Sequence, residues 1–296
     1  MYVYNADERL LVFLPPERTD PVREDWASKV FIQDVAIADI SDELGVFGVH
    51  GPKSTEKIAS VLAGPGAPEP PLTFVRGTMV DAGVTVIATD APLGEEGYEV
   101  VCAADDASDV FDTLVNRGLN AAPFGYRTWD ALTLEAGTPQ FEHELAGTIP
   151  NVLGIRNALD FEKGCYVGQE VVSRVENQGR PSRRLVGLSL AGLADAVAEI
   201  DGDVNPDAID EVLPAAGAAV FDGDEAIGAV TRAGVGPATD VPLALALVDA
   251  TADPPADAVT VRVDGDETDA RITSLPFVEG SARSARLPEY PDAVES

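Results

Sequence analysis

Lys163-Gly164-Cys165-Tyr166-Val167-Gly168-Gln169-Glu170 is the stretch on which the reading of this chain turns. Two glycines four residues apart bracket a thiol and an aromatic ring, with a lysine before them and an amide and a carboxylate after. Glycine accepts left-handed and crowded backbone without steric cost, so the spacing predicts a shaped loop rather than part of a helix. A cation beside a thiol favours the thiolate, the nucleophilic form. From the residues alone two readings stand: a reactive Cys165 assisted by Lys163, or a buried turn around an inert thiol.

On the C-terminal side, Arg174, Arg180, Arg183 and Arg184 place four arginines within eleven residues. Gly179-Arg180-Pro181 makes this segment a turn-rich connection rather than a helix. Its arginines either pair with an acidic surface or form an anion site, since a guanidinium fork grips carboxylate or phosphate in two places. Beyond Pro181 the pattern changes to short apolar runs at Leu185–Leu190, Ala218–Phe221, Ala226–Thr231, Leu243–Val248, Ala258–Val263 and Thr268–Thr273. Gly, Pro and Asp turns separate them, which predicts a small β-barrel or sandwich. The acidic insert Ala194–Glu211 reads as a surface excursion, and the tail Ser281–Ser296 as loose.

On the N-terminal side, Tyr2–Tyr4 and Leu10–Leu14 read as two strands joined by a polar turn. Asp20-Pro21 offers an N-cap and a first-turn proline for a helix carrying Val22, Trp26 and Val30. Val35–Ile40, Gly45–Val49, Leu72–Arg76, Met79–Asp81 and Val84–Thr89 are strand candidates, with Gly83 in a turn. Ser54–Leu62 is a short helix. Asp105 caps a helix with Val110, Phe111 and Leu114 on one face and Gly118 at its end, and Tyr126–Ala136 is a helix stopped at Gly137. Strands and helices mix without βαβ alternation, so the fold class is α+β.

Over 296 residues, 51 acidic side chains face 20 basic ones, a formal charge of −31. That charge argues against wrapping duplex DNA or docking on an anionic membrane, both of which need many Lys and Arg contacts. Only four of the basic residues are lysines. Acid-rich and lysine-poor composition is of the haloarchaeal type, suited to a salt-loaded cytoplasm where self-repulsion is screened. It predicts loss of structure on dilution from about 3 M to about 0.1 M salt. Unchanged circular dichroism would contradict this. Two cysteines, no leader-like opening and no membrane-length apolar run predict a soluble protein of a reducing, cytoplasmic compartment. His50, His143, Cys102 and Cys165 show no metal-ligand spacing, so no metal site is expected. Phosphate-cradling glycine motifs and a serine-nucleophile elbow are likewise absent from the sequence. His143, in Glu142-His143-Glu144, reads as a solvated helix-end residue.

Residues 163–170 resemble the signature of the YgfZ-type folate-binding proteins, relatives of the glycine-cleavage T-protein, an aminomethyltransferase. Leu93-Gly94-Glu95-Glu96-Gly97-Tyr98-Glu99 is similar to the T-G-E-x-G-[FY]-E of that superfamily, and residues 129–137 (WDALTLEAG) to its R-D-x-L-R-L-E-A-G. Gly228-Ala229-Val230-Thr231 and Leu275-Pro276-Phe277 resemble its C-terminal barrel domain. The resemblance implies a folate-binding region over 1–180 and a β-barrel domain over 181–280, with tetrahydrofolate bound in a central channel. It places the pterin-holding carboxylate on Glu95, which suits the task because a carboxylate accepts two parallel N–H bonds. It extends the folate site to Tyr98, Tyr166, Gln169, Glu170 and Arg174, and gives Cys165 and Lys163 the chemistry. The implied partners are folate, with iron–sulfur proteins or a lipoylated carrier protein; contact with tRNA stays open.

Departures from the motifs carry information too. Leu93 stands where the T-protein motif has threonine, and Trp129 and Thr133 stand where it has arginines. Losing both guanidinium clamps weakens the case for aminomethyl transfer. T-proteins lack the cysteine of this signature, so Cys165 points to the YgfZ branch, linked to iron–sulfur protein maintenance and tRNA modification. Family members also carry a segment ahead of the Tyr2–Leu14 hairpin, so either a natural short form or an internal start codon is expected here.

Overall fold

The computed structural model describes residues 1–32, 34–155, 158–200 and 206–278. By packing the chain divides into two units, 1–89 with 98–122, and 90–97 with residues from 123 onward.

In the first unit, β1 (Tyr2–Asn5) and β2 (Leu10–Phe13) form the expected antiparallel hairpin, Tyr2 opposite Phe13. Helix α1 covers Pro16–Ala27, starting earlier than Asp20-Pro21 would have it and ending before Val30. Pro16 takes the first-turn position, where proline's missing N–H costs nothing, and Pro21 is carried inside the helix. Residues 34–40, expected as a strand at Val35–Ile40, have no regular structure. The adjoining four-stranded sheet has β3 (Leu44–His50) at its edge, and 34–40 does not extend it.

That sheet runs β3-β6-β5-β4, with β4 at Phe74–Met79, β5 at Ala82–Ala88 and β6 at Gly97–Ala103. Helices α2 (Ser54–Val61) and α3 (Ala107–Asn116) accompany it. The expected strand Met79–Asp81 does not exist as such: Met79 ends β4, Val80 and Asp81 make the turn, and Gly83 pairs with Thr78. The turn sets this register, with Val80 at φ +56°. The two-residue side-chain period then sorts the core. Val84, Val86 and Ala88 join Tyr98, Val100 and Cys102 under Ile58 of α2 and Val110 and Leu114 of α3. Ile87 and Val101 point the other way and meet Tyr4, Phe13 and Phe74. Burying each such aliphatic side chain contributes about 1.5–3 kcal/mol.

The second unit opens with α4 (Tyr126–Glu135), stopped as expected by Gly137 at φ +67°. A π-turn at Phe141–Leu145, α5 (Pro150–Leu153) and α6 (Gln169–Gln178) follow. Helix α6 corrects the expectation of a turn-rich connection: between Gly168 and Gly179 the chain has neither Gly nor Pro, so nothing interrupts the helix. Arg174 therefore lies on a helix, and Arg183 and Arg184 lie in β7 (Arg183–Ser189), where Arg184 donates to the carbonyl of Ala252 at 3.2 Å.

Short helices α7 (Ala194–Ala198) and α8 (Pro206–Val212) occupy the insert. It is more than a surface excursion, because Val197 and Ile209 pack against the barrel core. Strands β8 (Ala219–Asp222), β9 (Glu225–Val235), β10 (Pro242–Asp249), β11 (Ala258–Val263) and β12 (Asp266–Thr273) complete the unit. With β7 they close a six-stranded barrel in the order β10-β7-β12-β11-β8-β9, so the barrel alternative holds over the sandwich. The tail 281–296 lies outside the described residues. Strand β10 is buried on both faces: Ala244, Ala246 and Val248 fill the barrel, while Leu243 and Leu245 pack outside against Leu134 of α4. Gly228 is required there, since a Cβ would come within 2.3 Å of the Leu247 carbonyl oxygen. Among the described residues no helix is long and apolar enough to cross a membrane.

Candidate functional site

Residues 163–168 form the predicted shaped loop, with Gly168 at φ +88°, but Gln169 and Glu170 already belong to α6. The Asp160 carboxylate holds the entry by accepting the backbone N–H groups of Glu162 (2.8 Å) and Lys163 (3.2 Å). Gln169 holds the exit, its side-chain oxygen accepting the Tyr166 N–H at 3.2 Å. The loop is not a buried turn: Cys165, Lys163 and Tyr166 are exposed. The Lys163 ammonium stands 4.4 Å from the centre of the Tyr166 ring, a cation–π contact that draws the two side chains beside Cys165 together. Glu170 and Arg174 follow one turn apart on exposed α6.

Cys102 differs in every respect. It is 3% exposed within β6, with its thiol 3.7 Å from the Gly45 carbonyl oxygen. Burial first, then the Asp106 carboxylate, push that thiol above its ordinary range. Limiting iodoacetamide is therefore expected to label Cys165 at least about ten times faster than Cys102. Peptide mass mapping reads the ratio, and equal or reversed labelling contradicts it.

Glu95 lies in a tight turn of the second unit. Ala91, at φ +56°, accepts a hydrogen bond from Gly94 N–H at 2.9 Å, and residues 91–94 are buried. Glu95 itself is half-buried, and among the described residues its carboxylate takes no hydrogen bond or ion pair. Tyr98 belongs to the first unit, buried, with its hydroxyl 2.8 Å from the Thr55 hydroxyl. The structure thus gathers Lys163, Tyr166 and Gln169 around the Cys165 loop, and commits Tyr98 to a core hydrogen bond.

Asp90, at the start of the Glu95 segment, is pushed up to about 6 by burial. The folded chain then holds a proton that the unfolded chain releases near pH 4, so this contribution to stability is lost as pH rises from about 4 to about 6. His50 acts oppositely: burial lowers it to about 4, and its contribution is lost as pH falls from about 6.5 to about 4. Comparing Asp90→Asn with the parent isolates the carboxyl. The variant is expected to gain about 1–3 kcal/mol on the parent between pH 4 and pH 7 in urea unfolding. A difference that stays constant over that range contradicts it.

One cluster was not read from the sequence. Arg232 of β9 is 8% exposed, and its Nε donates to Glu144 Oε1 at 3.2 Å. Its Nη1 donates to the Thr133 hydroxyl (2.9 Å) and the Asp130 carbonyl (3.2 Å), and its Nη2 to the Thr138 carbonyl. Glu144, 1% exposed, also accepts from the Thr231 hydroxyl (2.7 Å) and the Gln140 N–H (2.8 Å). Glu135, at the end of α4, accepts the N–H groups of Ala238 (3.0 Å) and Thr239 (2.8 Å). An arginine inside an otherwise apolar strand is the signal that would have found the cluster. His143, between these residues, is exposed, as expected.

Comparison with known proteins agrees with this architecture. The model of the GCVT N-terminal domain matches residues 3–163, and that of the glycine cleavage T-protein C-terminal barrel domain matches 203–279. The chain is 28% identical over 256 residues to an aminomethyltransferase of Geobacillus kaustophilus, covering 85% of this chain and 65% of the relative. It is 25% identical over 256 residues to that of Bacillus subtilis, covering 85% and 66%. The chain thus spans about two thirds of the length of these curated relatives. The crystal structure of the glycine cleavage system aminomethyltransferase T from Bartonella henselae superimposes with a TM-score of 0.53 at 19% identity, over 82% of this chain and 86% of that one, a likeness of fold. With one family model matching more than half of the chain and a second matching its barrel, the protein belongs to the glycine cleavage T-protein family.

Proposed function

We propose that this chain binds tetrahydrofolate and uses Cys165 in iron–sulfur protein maintenance or tRNA modification, in the manner of YgfZ-type proteins. The observation that carries the reading is the exposed Cys165, flanked by Lys163 stacked on Tyr166, in a member of a T-protein family. For the folate itself, the half-buried Glu95 carboxylate, without a partner among the described residues, has the chemistry to accept the paired N–H groups of a pterin. Tetrahydrofolate supplies ring nitrogens able to carry a one-carbon unit. This chain's residues bind and orient it, with Tyr166, Gln169, Glu170 and Arg174 along the signature loop and α6. A free exposed thiol suits a reducing cytoplasm.

A second reading, aminomethyl transfer to tetrahydrofolate from a lipoylated carrier protein, draws support from the curated relatives, which are aminomethyltransferases. Against it stands Thr133, where the family motif has arginine: its hydroxyl is engaged by Arg232 and Gln140 inside a buried knot. Titration with tetrahydrofolate, followed by calorimetry and by Trp129 fluorescence, tests both readings together. No heat and no fluorescence change would reject them in favour of a partner-binding scaffold. Formation of methylene-tetrahydrofolate in a glycine-cleavage reconstitution selects the transferase. Binding without transfer, together with loss of function in Cys165→Ser, selects the first reading.

A further inference from the structure

Thr138 is a three-way junction. Its N–H donates to the Thr133 carbonyl of α4 at 2.8 Å, and its own carbonyl accepts from Arg232 Nη2 of the barrel. Its hydroxyl donates to the Pro92 carbonyl at 2.6 Å, a bond buried on both sides. The residue is 2% exposed, so water does not compete for these partners. Pro92 lies in the buried 91–94 turn immediately before Glu95, and that turn contains strained backbone, with Ala91 at a positive φ that an L side chain rarely adopts. Such a conformation persists only where its surroundings hold it. Arg232 cannot yield easily either, because all three of its nitrogens are engaged.

We infer that Thr138, held by Arg232, is a positioning residue that fixes the 91–95 turn and thereby aims the Glu95 carboxylate at its ligand. The inference rests on the reading of Glu95 as the folate carboxylate. A carboxylate that pairs with two adjacent N–H groups tolerates displacements of only about 0.5 Å, so the turn behind it must be rigid. The barrel thus contributes to ligand binding through the 138 junction, without a barrel side chain having to touch the ligand.

Thr138→Val keeps the shape and removes the hydroxyl, while Thr138→Ser restores it. The valine variant is expected to bind tetrahydrofolate about 5–10-fold more weakly and the serine variant within about twofold of the parent. In a Glu95→Ala background the valine change should cost no further affinity. Hydrogen exchange is the second readout: amides of 91–97 should exchange at least about fivefold faster in Thr138→Val, recover in Thr138→Ser, and leave α3 unaffected. Unchanged exchange over 91–97 overturns the positioning role whatever the ligand. Faster exchange with parent-like folate affinity overturns the link to Glu95. A parent chain that binds no tetrahydrofolate defeats the folate reading alone, and exchange then decides the positioning role by itself.

Discussion

Replacing Glu144 with alanine is expected to destabilise the barrel-containing unit by about 3–5 kcal/mol. The carboxylate is 1% exposed and satisfies the Arg232 Nε–H, the Thr231 hydroxyl and the Gln140 N–H together. Removing it leaves a guanidinium buried without its counter-charge. Burial already pulls Arg232 below its ordinary range, with Glu144 the main opposing influence, yet an arginine cannot escape by deprotonating. Glu144→Gln keeps one acceptor and is expected to cost less, about 1–3 kcal/mol. Glu144→Leu combined with Arg232→Met removes both charges and should regain much of the loss, because an apolar pair of similar volume carries no desolvation cost. Urea unfolding followed through Trp129, in a Trp26→Phe background so that only the second unit reports, measures all three. A loss below about 1 kcal/mol for Glu144→Ala would show that the pair contributes little.

Glu95→Gln is expected to weaken tetrahydrofolate binding by about 10–100-fold while leaving thermal stability within experimental error. The affinity figure follows from hydrogen bonds to a charged group, each worth about 1.5–3 kcal/mol, with 1.4 kcal/mol per tenfold. Stability should not change because the carboxylate takes no hydrogen bond or ion pair among the described residues. Calorimetric titration of both chains gives the ratio. Parent-like affinity would remove Glu95 from the site, and a large fall in melting temperature would mark it as a structural acid.

The barrel strands were visible as short apolar runs between turn residues, because a two-residue period and Gly, Pro and Asp punctuation act locally. So were the Tyr2–Phe13 hairpin, the Gly137 stop of α4 and the loop around Cys165. Errors arose where local signals compete. Asp20-Pro21 reads as the start of α1, but Pro16 takes the first-turn position and Pro21 lies inside the helix. Glycine at 179 and proline at 181 drew attention away from ten uninterrupted residues that fold as α6. The run at 34–40 has strand-like alternation but does not extend the neighbouring sheet.

Glu95 and Cys165 could be named from the sequence because their motifs are contiguous, and contiguous residues share a loop whatever the rest of the chain does. The Arg232–Glu144–Thr138 knot could not. Its members lie 88 and 94 residues apart along the chain, and nothing in either stretch names the other. By itself the sequence determined the α+β class, the run of short C-terminal strands and the shaped loop around Cys165, while the closure of those strands into a barrel and the exposure of the thiol are properties of the folded chain. Only the tertiary structure decided which charges are buried and paired, because the low-dielectric interior that makes such a pair matter exists only once β9 has packed against α4.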